Sequence, residues 1–502
     1  ALNRSLSPSE PVPTPSMNPT GIRPDPGPAV SAVPASARCA GRRRPLAWGW
    51  GALVIGALGT LASLGICAPQ ASAQQSGRSQ APWSSPRQRS APAAAAQGPQ
   101  LIRAAKILTC AEPDAGGTAA WIDRGEVLID RGSILALGPA HSLELPEGTE
   151  VLDLGELWLM PGMVDLHCHV AGRSLFEEND LNDMVYLANP ELRASSAVIP
   201  GRKELLDGLA GGVTSVLYIP GSGTNMGGQG VLLKTGLPRY EQMELRNPGS
   251  LKLAQAGNPE RWLVNPGRSL MNWNSRDTVE RGLAYARLWA RGLERGAGGH
   301  PDPRWDVFHG LNTKQVQISA HTQIPQVVLA TITMWKRDLG LEVYLDHSEI
   351  GGWRVAKVAV QYAVPAIIGP RSIDTTSAIF QRITAAKEPG IRGLAAEWQA
   401  QGQKEIGFNT DSPVVPQEEL SVQATMAARH GFSDRSLEVV RGLTLVPARA
   451  AHLDHLIGSL EPGKHADILA LTGHPADPRT SIERVWIEGQ LIYDPRRDGR
   501  RW

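Results

Sequence analysis

The sequence predicts an α/β protein: a TIM-like (β/α)8 barrel with a small β-sandwich domain assembled from both chain ends. Between residues 160 and 445, apolar strand-like stretches alternate with longer helical patterns over the length of one barrel. Short apolar stretches separated by turn residues occupy 101–159 and return at 446–495, which is typical of an antiparallel domain. We therefore expect one barrel domain and one composite β domain.

The segments before residue 101 predict export. Residues 1–45 are rich in Pro, Ser and Ala and indicate a disordered leader. Residues 46–73 begin with an uncharged apolar stretch after Arg42–Arg44 and end in Ala-Ser-Ala, the pattern of a signal peptide. The stretch is also long enough for an uncleaved membrane anchor. Both interpretations place the bulk of the chain outside the cytoplasm, periplasmic or anchored, after a low-complexity linker at 74–100.

Composition limits the partners. A net charge of +1 gives no reason to expect nucleic acid, and contact with a membrane is expected only through the N-terminal segment. The folded part holds Cys110 and Cys168 alone, so a disulfide framework is not expected. We expect a small-molecule or short-peptide substrate, and a homo-oligomer is compatible with the sequence.

The individual strands are apolar stretches bounded by turn residues. The predicted strands of the barrel are 162–167, 213–219, 250–253, 316–320, 341–345, 363–368 and 405–409. Those of the β domain are 101–108, 125–130, 133–137, 150–154, 466–471, 482–487 and 491–493. Asp130-Arg131-Gly132 and Gly489-Gln490 are suited to the tight turns between neighbouring β-domain strands.

The first barrel strand ends in His167-Cys168-His169. Side chains two residues apart on a strand share a face, so both imidazoles point the same way and Cys168 points the other way. Two imidazoles at a strand end can hold one divalent cation. A pair of buried structural histidines is the alternative when the motif is taken alone.

Further candidate ligands follow later strands. His321, His347 and Asp411 each come at the C-terminal end of a strand-like stretch. Barrel enzymes carry their chemistry at that end of the strands. Taken singly, each residue could be a backbone-bonded histidine or a helix-capping aspartate, but their shared position indicates one site.

The glycine-rich segment 221–230 also invites a functional interpretation. Phosphate binding is one idea, although the segment lacks the Lys-Ser/Thr ending and the strand–loop–helix context of a P-loop. A loop that lines a substrate pocket, with Asn225 and Gln229 as contacts, is the interpretation we favour. A plain surface turn is the alternative.

Several motifs together resemble the amidohydrolase superfamily, and within it the imidazolonepropionase-like and prolidase-like branch. They are PGMVDLHCH at 161–169, GGQG at 227–230, FNTDSPVVP at 408–416 and GSLEPGKHADI at 458–468, together with His321 and His347. The resemblance extends over residues 101–495. It departs from the family pattern at His465, where aspartate is usual.

The resemblance implies a metal site with one or two divalent ions. Its ligands would be His167, His169, Lys252, His321, His347 and Asp411. A lysine on the fourth strand is often carboxylated in this family and bridges two ions. We favour Lys252 over Lys234 for that role, because its strand falls where the fourth strand is expected. If neither lysine bridges, the site holds a single ion.

The predicted function is that of an exported metal-dependent amidohydrolase, whose metal-activated water cleaves an amide or cyclic amide C–N bond, including dipeptide-like bonds. Asp411 is the candidate proton shuttle. His347 or His321 is the candidate stabiliser of the oxyanion if the metal does not fully engage it, and His347 is the one we choose. Zinc is the first choice for nitrogen and oxygen ligands, with manganese, iron and cobalt as alternatives. A phosphoester or lactone hydrolase on the same metal site and an inactive barrel that acts as a binding module are the alternative functions.

Overall fold

The computed structural model describes residues 86–89, 91–92, 98–112, 119–172, 186–261, 266–294, 299, 301–370, 373–374 and 391–502. The chain divides into two compact units, Ala1–Ser76 and Gly77–Trp502. The predicted leader 1–45, the apolar segment 46–73 and most of the linker 74–100 lie outside the described residues. Within the described ranges, no helix combines the length and the apolar character needed to cross a membrane.

The strands are β1 (Arg87–Gln88), β2 (Gln100–Leu108), β3 (Trp121–Asp130), β4 (Ser133–Pro139), β5 (Glu150–Asp153), β6 (Trp158–Pro161), β7 (Met163–Cys168), β8 (Val213–Tyr218), β9 (Met226–Lys234), β10 (Glu244–Ala254), β11 (Gln317–Thr322), β12 (Val343–His347), β13 (Ala366–Ile368), β14 (Ile373–Asp374), β15 (Arg392–Gly393), β16 (Ile406–Phe408), β17 (Ile468–Leu471), β18 (Ile482–Ile487) and β19 (Gln490–Tyr493). The α-helices are α1 (Lys203–Ala210), α2 (Tyr240–Met243), α3 (Asn258–Arg261), α4 (Arg268–Ala290), α5 (Val307–Asn312), α6 (Pro325–Thr331), α7 (Ala356–Gln361), α8 (Leu394–Ala400), α9 (Leu420–Arg429), α10 (Glu438–Leu443), α11 (Leu445–Ala450) and α12 (Pro495–Asp498). Short 3-10 helices cover Ala194–Ala197, Pro303–Trp305, Gly352–Val355 and Gln417–Glu419, and a π-helix covers Ile332–Asp338.

The barrel sheet has the strand order β16-β13-β12-β11-β10-β9-β8-β7. Its two ends meet where Cys168 forms a parallel bridge with Ser412, and the His169 N–H donates to the Ser412 carbonyl over 2.9 Å. Strand β9 runs antiparallel to both of its neighbours, β8 and β10, while the other pairs in this order are parallel. The predicted barrel is confirmed, and its sheet is mixed.

The expectation of a loop at 221–230 is wrong for its second half, because Met226–Lys234 forms the strand β9. The connection 219–225 is too short for the helical crossover that a parallel neighbour requires, so the chain returns antiparallel. Glycines make this strand possible by permitting close packing. A Cβ on Gly228 would lie 2.6 Å from the Leu192 carbonyl oxygen, and one on Gly230 would lie 2.5 Å from the Ile219 side chain.

The second sheet has the order β19-β18-β17-β6-β2-β3-β4, with β5 paired to β2. Strand β17 runs antiparallel to β6, with Ile468 opposite Pro161. The sheet therefore combines strands from before and after the barrel, as the predicted fold class requires. Since β6 leads directly into β7, this sheet fixes the start of the strand that carries the His-x-His motif.

The barrel interior is apolar below its functional end. Its packed side chains come from separate strands and include Val164, Leu217, Leu232, Tyr344 and Ile367. A larger cluster packs the outer helices against the sheet, and a third fills the second sheet. The strands are thus held from both faces, which gives the side chains at their ends a rigid support.

Candidate metal centre

The barrel brings the predicted ligands to one end of its sheet. Asp411 Oδ1 lies 3.3 Å from Nε2 of His167 and 3.3 Å from Nε2 of His169. The His347 ring lies 4.4 Å from the His167 ring and 4.5 Å from the His321 ring, measured between centroids. One ligand atom each from His167, His347 and Asp411 falls within 4.8 Å of the others. These distances suit side chains that share a cation.

Backbone conformation aims two of these side chains. His347 has φ +69° and Asp411 has φ +50°, both in the left-handed region that non-glycine residues rarely adopt. Each residue lies at or just beyond the end of its strand, where the chain turns away from the sheet. Such conformations cost free energy and persist at functional sites because the surroundings enforce them.

Three of the imidazoles, those of His169, His347 and His321, are oriented by a partner on the outer nitrogen. His169 Nδ1 donates to the Ile219 carbonyl over 2.9 Å, and His347 Nδ1 donates to the Gly369 carbonyl over 2.8 Å. His321 Nδ1 lies 2.9 Å from the Ser222 hydroxyl. These contacts turn Nε2 inward, which is the arrangement that metal-binding histidines use.

The inward atoms have the properties of metal ligands. Nε2 of His321 and Nε2 of His347 are buried and have no hydrogen-bond partner within the described residues. Burial, reinforced by Lys252, lowers the pKa of His167 well below its ordinary value, so the ring is neutral and has a lone pair to offer. The donor set of imidazole nitrogens and a carboxylate therefore fits a divalent cation such as zinc.

The carboxylate of Asp411 remains ionised in this cluster. Burial alone would raise the pKa of Asp411, but the neighbouring His347 and His169 hold it below its usual range. Its side chain is 19% exposed, whereas the His167 side chain is 0% exposed. Asp411 is thus a charged group that both the histidines and an incoming molecule can reach.

The two candidate lysines have different surroundings. Lys252 Nζ lies 3.0 Å from His167 Nε2 and 4.0 Å from Asp346 Oδ2, inside the histidine cluster. Lys234 forms a buried ion pair with Asp467, which belongs to the sequence that enters β17. Of the two, Lys252 is the one whose amine contacts a predicted ligand.

Asn225 and Gln229, the predicted substrate contacts, are both fully buried. The Asn225 amide donates to the Ala254 carbonyl and accepts from Asn274. The Gln229 amide donates to the Pro190 carbonyl and to Asp306. The side-chain amides therefore fix the connection 219–225 and strand β9 to the segments that carry these four partners.

Sequence reasoning missed Asp346. Its carboxylate accepts from the Ser319 hydroxyl over 2.6 Å and lies 3.2 Å from His167 Nδ1. Burial raises the pKa of Asp346 to about 6, although Lys252 opposes the rise. Strand alternation sets Asp346 and His347 on opposite faces, so only the left-handed turn at His347 brings both to the site. The one signal in the sequence was an acidic residue next to a candidate ligand at a strand end.

Ser222 and Asp165 were also missed. Ser222 comes from the glycine-rich connection and contacts His321 across the barrel. Asp165 accepts from the Thr410 hydroxyl over 2.6 Å, which ties β7 to the segment that carries Asp411. Both residues contact partners that are far away in the sequence. Neither residue type nor spacing therefore indicates their role.

Comparison with known proteins gives a consistent result. The model of the amidohydrolase family matches residues 346–492. The crystal structure of an amidohydrolase from Thermotoga maritima MSB8 is 26% identical, with a TM-score of 0.67, over 79% of this chain and 100% of that chain. The family-model match contains His347 and Asp411, whereas His167, His169 and His321 lie before it.

Curated relatives also match by sequence, two of them as follows. The amidohydrolase tasK of Hapsidospora irregularis is 24% identical over 79% of this chain and 43% of its own length. A putative N-acetylgalactosamine-6-phosphate deacetylase of Escherichia coli K12 is 39% identical over 11% of this chain and 29% of its own length. The chain therefore spans less than half the length of these curated relatives.

Proposed function

We propose that this chain, which belongs to the amidohydrolase superfamily, is a metal-dependent hydrolase that cleaves an amide or cyclic amide C–N bond, dipeptide-like bonds included. The observation that carries the proposal is the convergence of inward-facing Nε2 atoms on the Asp411 carboxylate. His167 and His169 both approach Asp411 Oδ1 at 3.3 Å. That arrangement suits hydrolysis with a metal-activated water.

The metal ligands we propose are His167, His169 and Asp411 for a first ion, and His321 and His347 for a second. A bound divalent cation supplies an activated water and a Lewis acid for the substrate carbonyl. We propose zinc from the ligand types. Lys252, carboxylated at Nζ, is our candidate for a group shared by two ions, since it lies 3.0 Å from His167 Nε2.

The protein's own groups would then move the proton. The Asp411 carboxylate is ionised, so its free oxygen can accept a proton from the attacking water and pass it to the leaving nitrogen. The His347 ring is fixed by the Gly369 carbonyl through Nδ1, so it would stabilise the developing oxyanion only if Nε2 carries a proton and does not bind the second ion. Asp411 and His347 are therefore the catalytic residues of the proposal.

The decisive experiment measures metal content and turnover in wild type and Asp411→Asn. We expect one or two ions per wild-type chain by elemental analysis, hydrolysis of a panel of acylated amino acids, dipeptides and cyclic amides, and loss of that turnover in the variant. Asp338→Asn is the matched control, because Asp338 is an exposed carboxylate paired with Arg276 and Arg337.

Three results would contradict the proposal. Metal content near zero in folded protein would favour a binding module. Turnover confined to phosphoesters or lactones would move the reaction away from C–N bonds. Undiminished turnover in Asp411→Asn would remove Asp411 as the proton shuttle.

Export is a separate part of the proposal and is supported by the sequence of residues 42–73. Arginines, an apolar stretch and Ala-Ser-Ala follow one another as in a signal peptide. We expect the mature protein to begin near Gln74 when its N-terminus is sequenced after expression. Full-length protein recovered in the membrane fraction would instead support an anchor, and full-length protein in the cytosol would contradict export.

A further inference from the structure

A cavity with several charged lining residues lies at the opposite end of the barrel from the histidines. It has a volume of about 510 Å3, and its lining includes Arg246, Lys314, His452 and His455. Strand β10 runs parallel to β11, with Ser250 opposite Gln317 and Ala254 opposite His321. Arg246 precedes Ser250, so it belongs to the N-terminal end of the strands.

Arg246 is a buried cation whose hydrogen bonds are incomplete. Its residue is 1% exposed. Nη2 donates to the Gly249 carbonyl over 2.8 Å and to Gln317 Oε1 over 2.6 Å. Nε and Nη1 have no hydrogen-bond partner within the described residues, and no described carboxylate pairs with this guanidinium. Burial lowers the pKa of Arg246 to about 10, so the group stays charged near neutral pH.

Burial of a charge costs desolvation free energy unless hydrogen bonds or an opposite charge offset it. The guanidinium of Arg246 therefore needs such a partner. The lining also includes Arg449 and Asp454, and the carboxylates near the cavity face Arg449 rather than Arg246. Glu405 pairs with Arg449 at 2.7 Å, and Asp454 lies 4.0 Å from Arg449. Lys314, at the rim, has a side chain that is 61% exposed and lies 3.8 Å from Glu342. The surplus charge on this cavity is therefore positive.

The strand β1 covers one side of the cavity. Gln88 is the register partner of Arg246, and its amide lies 3.0 Å from His455 Nε2. His452 is close enough to Arg246 for the guanidinium charge to lower its pKa further, after burial. A neutral imidazole, an amide and N–H donors around a fixed guanidinium are the usual surroundings of a bound oxyanion.

We propose that this cavity binds a small oxyanion of the phosphate type, held by the N–H donors of Arg246 that lack partners and attracted by Lys314. The site is distinct from the metal centre and does not depend on the proposed hydrolysis. A ligand that binds only the folded state stabilises it, so occupancy should raise the unfolding temperature.

The test measures thermal unfolding of the full chain against inorganic phosphate at constant ionic strength. Wild type should show a saturable rise in unfolding temperature. Arg246→Gln should lose that rise, whereas His347→Gln, altered in the metal centre, should retain it. Lys314→Glu should weaken the phosphate midpoint about tenfold, because it reverses a charge at the rim. Lys357→Glu makes the same charge change at an exposed lysine outside the lining and should leave the midpoint unchanged.

Two outcomes would overturn the proposal. One is a phosphate effect that persists in Arg246→Gln but disappears in His347→Gln, which would place the anion at the metal centre. The other is an equal, non-saturable rise in every variant, which is a general salt effect. If Arg246→Gln does not fold, the two lysine variants decide, and equal midpoints for them reject the site.

Discussion

Lys252 and Lys234 are both fully buried in neighbouring strands, yet their surroundings differ. Lys234 lies in β9 and is neutralised by Asp467 at the junction with the second sheet. Lys252 lies in β10 and approaches His167 at 3.0 Å, with the Asp346 carboxylate only at 4.0 Å. Lys234 contacts its counter-charge directly, whereas Lys252 contacts an imidazole and pairs with Asp346 at a longer distance.

This difference shows that burial alone does not identify a functional lysine. A buried ion pair is satisfied and has a structural role, whereas an amine beside neutral imidazoles gains from chemistry that changes its charge. Carboxylation would convert the Lys252 cation into an anion among metal ligands. We therefore assign Lys252 to the activity and Lys234 to the stability of the fold. Substitution of each lysine tests this assignment.

The largest effect is expected for Lys252→Met. Loss of a metal ligand should lower kcat/KM by more than about 100-fold. This is more than the usual loss of activity when a residue that hydrogen-bonds to a metal ligand is removed. Metal content should fall as well, while circular dichroism stays native. Full activity with unchanged metal content in Lys252→Met would end the proposed bridging role.

Lys234→Met should behave in the opposite way. It leaves Asp467 buried without its partner, and breaking a buried pair in this way costs about 3–5 kcal/mol of folding free energy. Urea unfolding measures this loss, while turnover per folded molecule should stay at the wild-type level. Lys234→Met with Asp467→Leu should recover part of the stability, although Asp467 also accepts from the Glu488 N–H. A selective loss of turnover in Lys234→Met would contradict the structural role.

Ser222→Ala tests whether the orientation of the histidines matters. Without the hydroxyl near its Nδ1, His321 loses the contact that turns Nε2 inward, so metal affinity should fall about 10- to 100-fold. A competition titration with a chelator measures the change. Ser275→Ala is the matched control, because this buried hydroxyl donates to carbonyls of its own helix, α4. Equal metal affinity in both variants would show that Ser222 does not position His321.

The smallest effect is expected for Arg276→Gln. Arg276 is 42% exposed and pairs with Glu280 and Asp338, and exposed pairs of this kind contribute less than about 1 kcal/mol. Urea unfolding should differ from wild type by no more than that. A larger loss of folding free energy would mean that exposed ion pairs also stabilise this protein. The buried Lys234–Asp467 pair would then no longer differ in kind from the exposed pairs.

Much of the fold could be predicted because its periodicity is local. The strands that carry His167, His321 and His347 near their ends are apolar stretches bounded by polar turns, and the predicted bounds agree with the structure to within a few residues. The antiparallel direction of β9 could not be predicted, because glycine-rich stretches indicate turns by composition. The close packing of Gly228 on Leu192 becomes visible only in three dimensions.

The residues of the candidate site also fall into those that the sequence predicts and those that it does not. Its histidines and Asp411 follow strands, so topology alone predicts that they meet. The left-handed turn at His347 brings its ring to the same site as the Asp346 carboxylate, and Ser222 reaches the site through its contact with His321. Neither the turn nor this contact leaves a periodic signal. Partners of ligands depend on backbone geometry, so a sequence indicates them only weakly.

The pairing of β6 with β17 also has a consequence for biosynthesis. The whole barrel separates these two strands in the chain, so β6 emerges from the ribosome long before its partner exists. Until then its unpaired N–H and C=O groups can associate with other nascent chains. Chains that terminate before Ile468 should therefore aggregate, and chaperones should bind the full-length protein late in its synthesis.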